Sequence, residues 1–465
     1  MKRVSKNVIS IVGSDIARRL MGFVAIAYLA RKVGVADFGA INIGFTILSY
    51  ALLVSSAGLN SFGVRAIARG ESSNLVNIVT TIKLISSSGA FILVSLLAIL
   101  FIHADQMAVL VVLFSLSLFP GVYLIDWYFQ GKERMGVIGV VRSISALLYL
   151  LLILTFVHSP ADIIWVAIAA VSGDIVAALG LWIYYRRAEG GGKLYLSLQG
   201  WRSLIRQSLP IGGGSMLAAF SVNLPPIILG IFLTNSDAGI FSAASKLVFF
   251  LLMIDRVLGT ILLPASSRIH SQSPDVLPGS LRYALKWIMI IAVPVCAGGT
   301  VLADKIIPLV FGAQYIPSVG VFRILIWFFL STTLHTVYTS GLIAVGQEKL
   351  YAFIMMMSAG LYLLSIVIFT FIFGTVGTAA AMVMSEVMTV IYMQYRLHRF
   401  IVVPFPASTL KVIISTVVMV IVLLLLSSLN VFVAVGLGAI IYLVVLFSAR
   451  GITPNDWQTL WGKLW

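Results

Sequence analysis

Long apolar runs separated by short polar connections fill the chain from end to end. Read with a window of about 19 residues, they fall near 8–30, 38–61, 84–102, 107–129, 138–158, 161–185, 209–233, 238–264, 283–303, 317–345, 350–373, 377–395, 408–429 and 431–449. The runs are continuous, whereas the strands of a membrane barrel alternate polar and apolar positions. Most reach the length of about 20 residues that a helix needs to cross the hydrocarbon core. A backbone in lipid must satisfy its own hydrogen bonds, so these segments are predicted to be helices. The predicted fold class is therefore all-α and integral to the membrane, with about 14 transmembrane helices.

The pattern also repeats. Asp37-Phe38-Gly39-Ala40-Ile41, after the first span, is echoed 200 positions on by Asp237-Ala238-Gly239-Ile240-Phe241, after the seventh. Gln130-Gly131-Lys132-Glu133-Arg134 is echoed 215 positions on by Val345-Gly346-Gln347-Glu348-Lys349. Val171-Ser172-Gly173-Asp174 in the sixth span is echoed 212 positions on by Val383-Met384-Ser385-Glu386 in the twelfth. These matches predict two parallel six-helix repeats, 1–187 and 209–400, joined by a cytoplasmic linker, 188–208, that holds Gly190-Gly191-Gly192. Residues 401–465 are left for helices 13 and 14 and an amphipathic cytoplasmic tail anchored by Trp457, Trp461 and Trp465. Parallel repeats of this kind occur in transporters, with the substrate expected where the halves meet.

Composition narrows the class further. Of 465 residues, 60% are hydrophobic and 10% charged, with mean hydropathy +1.08. A soluble domain has about 45–50% apolar and about 25% charged residues, and fourteen spans leave no room for a sizeable soluble domain. A single cysteine, Cys296, excludes internal disulfides and cysteine-rich metal sites. The net charge of +15 is read as topology rather than as a nucleic-acid footprint. Most of the 31 Lys and Arg residues fall on one side of the predicted spans, and only Arg31, Lys32 and Lys305 on the other. By the positive-inside rule both termini are cytoplasmic, in agreement with an even number of spans. Asp15, Arg18 and Arg19 interrupt the apolar core that a cleaved signal peptide needs, so the first segment is expected to stay as a helix.

Five cations lie inside spans: Arg18, Arg19, Lys246, Arg256 and Arg323. Charge at that depth is costly and normally faces a cavity or a partner. Asp15 is one helical turn from Arg18 and Arg19, and one carboxylate cannot neutralise both guanidiniums. Arg18 is about 15 Å into its span. A planar guanidinium grips phosphate oxygens in a two-pronged fork, so these cations are candidates for binding a phosphate-bearing substrate. Packing against an acid on another helix stands as the alternative for each, and Arg256 and Arg323 are also long enough to reach the interface. The in-span acids Asp15, Asp174, Asp255 and Glu386 serve either ion coupling or charge pairing with these cations.

With these features in place, Asn7 to Arg19, Leu29-Ala30-Arg31-Lys32-Val33-Gly34-Val35-Ala36-Asp37-Phe38-Gly39 and Asp126-Trp127-Tyr128-Phe129-Gln130-Gly131-Lys132-Glu133 carry a family resemblance. Together with the six plus six plus two plan, they resemble the polysaccharide transport branch of the multidrug/oligosaccharidyl-lipid/polysaccharide (MOP) exporter superfamily, the Wzx-type flippases. The resemblance covers most of residues 1–400. It implies a pair of bundles around a cationic cavity and no enzymatic activity. The implied substrate is an undecaprenyl-pyrophosphate-linked oligosaccharide, an O-antigen or exopolysaccharide repeat unit, flipped across the bacterial inner membrane by alternating access. It further implies a polymerase and a chain-length regulator as pathway partners, membrane lipid as the surroundings, no cofactor beyond a proton or sodium gradient, and no nucleic acid.

Other readings have weaker support. A cation-coupled multidrug or small-molecule exporter of the same superfamily calls for an acidic or aromatic pocket, while here five in-span cations face four acids. An enzyme acting on polyprenyl phosphates needs a metal-binding acid cluster at one membrane face, but Glu71, Glu133, Asp275 and Glu348 are scattered. Gly212-Gly213-Gly214 lacks the lysine of a phosphate loop and reads as close helix packing or an unwound entry to the seventh span. Asn223-Leu224-Pro225-Pro226 marks an expected kink, Met355-Met356-Met357 reads as lipid-facing or packing, and no histidine, His335 included, has metal-ligand spacing with an acid.

Overall fold

The computed structural model describes residues 2–70, 74–102, 105–188, 196–197 and 199–453; the side chains at 2–16, 105, 188 and 210–222 are outside the description. The expectations for Asp15, for Gly190-Gly191-Gly192, for Gly212-Gly213-Gly214 as a packing site and for the tryptophan tail fall outside it. In chain order the helices are α1 (Lys2–Val33), α2 (Val35–Ser56), α3 (Leu59–Ala68), α4 (Asn74–Phe101), α5 (Asp105–Ser115), α6 (Leu118–Tyr123), α7 (Asp126–Gly131), α8 (Met135–Phe156) and α9 (Ile163–Ala188). They continue as α10 (Trp201–Phe232), α11 (Asn235–Gln272), α12 (Leu277–Phe311), α13 (Ser318–Leu325), α14 (Trp327–Ala344), α15 (Glu348–Leu397), α16 (Thr409–Leu425) and α17 (Val431–Ser448).

Twelve of the fourteen apolar runs each coincide with one of these helices or with a broken series of them, and the eleventh and twelfth both fall in α15, on either side of Gly374. The chain is an all-helical, multi-pass membrane protein. Its lipid-facing character is visible in residues such as Ile99, Phe101, Phe371 and Leu425, which stay at least 70% exposed although they are strongly apolar. Water would penalise such a surface, and a hydrocarbon solvent does not.

Three spans are interrupted. The second ends at Ala57 and Gly58, both left-handed, before the short α3. The fourth is divided into α5, α6 and α7, with Pro120 and Gly121 in the middle piece. The tenth is divided into α13 and α14 at Ile326. Between the eleventh and twelfth spans the chain turns at Gly374, whose φ of 61° and ψ of −142° suit only a residue without Cβ. In α10 the helical backbone continues through Pro225 and Pro226, and its first turns, Trp201–Ser208, take up the end of the segment predicted as linker.

Contacts divide the chain into two compact units, Met1–Ser242 and Ala243–Trp465. In the first, α8 packs against α1 and α9, and α2 against α4, α5 and α10. One of its cores gathers Val76, Val79, Trp127, Phe129, Tyr185 and Leu204, so the start of α10 is held by apolar burial. In the second unit, α14 packs on α15, and α12 on α14 and α16. Helices α16 and α17 are tied to α12 by a core containing Met419, Leu423 and Tyr442, and the Tyr442 hydroxyl donates to the Ile290 carbonyl at 2.8 Å.

Two details echo the sequence repeat. In the first unit the Lys83 ammonium, on α4, donates to the Gly121 carbonyl of broken α6 at 2.9 Å. In the second, the Cys296 thiol, on α12, donates to the Ile326 carbonyl at the α13–α14 break at 3.2 Å. In both, the third span of a repeat serves a carbonyl at the interruption of the fourth. The matched segments around Gly39 and Gly239 also meet each other. A Cβ on Gly39 would lie 1.7 Å from the Asn235 carbonyl oxygen, and one on Gly239 would lie 2.1 Å from that of Val35. The backbones of α2 and the start of α11 touch there, and only glycine fits both positions.

Candidate functional site

Helices α1, α3, α7 and α8 line an open cleft of about 560 Å3 in the first unit. Its lining includes Arg18, Asn60, Asp126, Trp127, Gln130 and Arg142. Arg18 stands midway along α1, as the hydropathy pattern requires, and both Arg18 and Arg19 are half-buried. Arg18 faces polar space, with a second guanidinium, a carboxylate and two amides around the same volume.

Arg142 organises the site. Its Nη2 donates to Asp126 Oδ2 at 2.5 Å and its Nε to Oδ1 at 3.3 Å, a fork on one carboxylate. Its Nη1 lies 4.0 Å from Asp174 Oδ1 on α9. Asp174 thus has its cation on α8 among the described residues, and not in Arg18, Arg19 or Lys246. Neither the hydropathy pattern nor the charge pattern along the chain singles out Arg142 or its partnership with Asp126. Gly173 lets α9 approach α8 closely, with the Ser145 hydroxyl donating to its carbonyl at 2.8 Å. Lys83, which hydropathy assigns to the cytoplasmic side, is 4% exposed, and Asp126 and Arg142 both act on its charge.

Arg142→Ala is expected to leave Asp126 and Asp174 without the cation between them, at a cost of about 1–3 kcal/mol. Thermal unfolding of the detergent-purified protein should shift downward, and adding Asp126→Asn should recover most of the loss. An unshifted transition in the single variant would show that the fork contributes nothing.

The second unit carries its own cluster. His335 Nδ1, on α14, lies 2.6 Å from Glu386 Oε1 on α15, with the two side chains 14% and 16% exposed. Next to His335, the Thr336 hydroxyl donates to Asp255 Oδ1 on α11 at 2.7 Å. Glu386 therefore meets a histidine that metal-ligand spacing gave no reason to single out. Counting histidine among the in-span ionisable groups finds it. Among the described residues no group of three His, Cys, Asp or Glu is arranged to hold a metal ion.

The remaining candidates are dispersed. Lys246 is half-buried on α11, and no described residue pairs with its ammonium. Arg256, beside Asp255, is exposed. Arg323 on α13 pairs with Asp304 of α12 and donates from Nε to the Thr300 carbonyl at 3.3 Å; its side chain is 44% exposed. The structure brings Arg18, Asp126, Arg142 and Asp174 together in one unit, and Asp255, His335 and Glu386 in the other.

This helical plan is shared with solved membrane transporters. It is similar to that of a solved "Lipid II flippase MurJ, inward closed conformation", with a TM-score of 0.80 at 15% identity over 95% of this chain and 99% of that one. An inward-facing multidrug-resistance MATE transporter of the MOP superfamily gives a TM-score of 0.65 at 16% identity, over 84% of this chain and 98% of that one. Residues 4–270 match the family described as "Polysaccharide biosynthesis protein", and the chain belongs to that family. A relative from Shigella dysenteriae named "Putative O-antigen transporter" is 22% identical over 403 residues, which is 84% of this chain and 99% of the relative. These relatives are described as transporters and flippases rather than as catalysts.

Proposed function

We propose that the protein flips an undecaprenyl-pyrophosphate-linked oligosaccharide, an O-antigen or exopolysaccharide repeat unit, from the cytoplasmic to the outer leaflet of the bacterial inner membrane. Membership of the polysaccharide biosynthesis family over residues 4–270 carries this reading. The names of two similar proteins support it, one an O-antigen transporter and the other a lipid II flippase.

Chemically, the head group needs cations inside the membrane and the sugars need polar and aromatic surfaces. Arg18 and Lys246 are the candidates to supply the first, with Arg19 and Arg256 on the same helices; Arg323, already engaged by Asp304, would contribute only after that pair opens. Asn60, Trp127 and Gln130 supply the second. The polyprenyl tail stays in lipid while the halves, 1–187 and 209–400, alternate access about the linker 188–208. Both termini are cytoplasmic on this reading, and a polymerase and chain-length regulator act on the product. Asp174 and Glu386 keep the scaffold neutral or couple it to an ion gradient.

Removal of the protein from its host should strand lipid-linked repeat units on the cytoplasmic face and abolish the corresponding surface polysaccharide. Undiminished surface polysaccharide would overturn the reading.

A further inference from the structure

The His335–Glu386 contact cannot exist without a proton. Two acceptors at 2.6 Å repel unless a hydrogen lies between them, so either the imidazole N–H donates to the carboxylate or the carboxyl O–H donates to Nδ1. Asp255, capped by the Thr336 hydroxyl, lies close enough to act on His335 electrostatically. The cluster thus holds two carboxylates and one imidazole within a membrane bundle, where every unneutralised charge is costly. Binding one further proton removes a full negative charge from it, and releasing one restores that charge.

Three different helices carry these groups: Asp255 on α11, His335 on α14, and Glu386 on the part of α15 that follows Gly374. Their attraction depends on the number of protons held, so protonation biases how the three helices pack. His335 lies about 14 Å from the Ala344 end of α14 and Glu386 about 17 Å from the Leu397 end of α15. Both side chains keep some exposed surface.

The surrounding charges do not replace this chemistry. On α11, Arg256 acts on Asp255 and points to the exposed surface. On α15, Tyr351 feels Glu386. The charged groups of α12, which packs on α14, lie toward its two ends: Arg282 and Lys286 at one, Asp304 and Lys305 at the other; Asp304 engages Arg323 of α13. A sodium ion would need several oxygens at once. Here His335 occupies one Glu386 oxygen and Thr336 one Asp255 oxygen.

We propose that Asp255, His335 and Glu386 form a proton-binding site that couples transport to the proton gradient, with His335 as the group that gains and loses the proton. The coupling role rests on the flippase reading; proton binding at the cluster does not.

Two readouts on the full-length protein separate them. First, nitrogen-15 histidine spectra between pH 5 and 9 should show one titrating resonance that is missing in His335→Gln and moves in Glu386→Gln; His335→Gln keeps a side-chain donor for Glu386. Second, in liposomes carrying a fluorescent polyprenyl-pyrophosphate oligosaccharide, a pH gradient should speed wild-type translocation several-fold. In both variants that acceleration should vanish, while exchange without a gradient stays within about twofold. No titrating His335 resonance would overturn the site. Gradient acceleration unchanged in both variants, or a dependence on sodium alone, would overturn the coupling. Absence of any translocation by the wild type, with the His335 titration intact, would remove the flippase reading and with it the coupling, and leave proton binding standing.

Discussion

Arg18→Ala lowers translocation of a polyprenyl-pyrophosphate oligosaccharide by about ten- to a hundredfold while the protein accumulates normally. A hydrogen bond to a charged group contributes about 1.5–3 kcal/mol, and each 1.4 kcal/mol is a factor of ten. Arg18 stands midway along α1 and lines the cleft of the first unit, where a pyrophosphate could meet both it and Arg142. Arg18→Lys keeps the charge and loses the fork, so it should recover part of the rate. Lys246→Ala is expected to fall in the same range, on the proposal that this half-buried ammonium, which no described residue pairs with, meets the head group. The check is the initial rate of head-group exposure in liposomes at matched protein content. Wild-type rates for both alanine variants would remove these cations from the transport path.

Gly39→Val disables the protein more severely and for a steric reason. The atom nearest a new Cβ is the Asn235 carbonyl oxygen at 1.7 Å, and backbone cannot rotate aside as a side chain can. Gly239 faces the Val35 oxygen in the same way at 2.1 Å, so a side chain at either position pushes α2 and the start of α11 apart. Overpacking of this kind costs about 1–3 kcal/mol or more. A lower unfolding temperature and loss of transport are expected for Gly39→Val and Gly239→Val alike. Gly22 on α1 is the control, because a Cβ there meets nothing within 4 Å and its substitution should be nearly neutral. Equal stability of Gly39→Val and Gly22→Val would show that the two backbones need not touch.

The spans were legible because lipid imposes one simple demand, continuous apolarity, and the sequence meets it fourteen times. The bend at Gly374 was legible too, since the apolar run pauses at 374–376. The interruptions inside the fourth and tenth spans were not. Ile326 is itself apolar, and its break is stabilised by Cys296 from another helix, 30 positions away. Pro120-Gly121 hints at the first, but the Lys83 ammonium that meets the Gly121 carbonyl comes from 38 positions earlier. Short motifs pointed to Gly39 and Gly239 as equivalents without revealing that they touch.

The candidate site divides in the same manner. Position along a helix follows from counting, so the mid-span place of Arg18 was readable. Partnership does not: Asp174 could have paired with any buried cation, and only the packing of α8 on α9 selects Arg142. Glu386 meets His335 across 51 positions, a contact that neither charge counting nor metal-ligand spacing anticipates.

Translocation by the purified protein in liposomes tests the central claim most directly. A fluorescent polyprenyl-pyrophosphate oligosaccharide is loaded on the inner leaflet, and an enzyme added outside reports the arrival of the head group. Protein-dependent exposure, reduced by Arg18→Ala and Lys246→Ala, is the predicted result. No exposure, together with gradient-driven efflux of a cationic dye by the same vesicles, would contradict it and identify a small-molecule exporter instead.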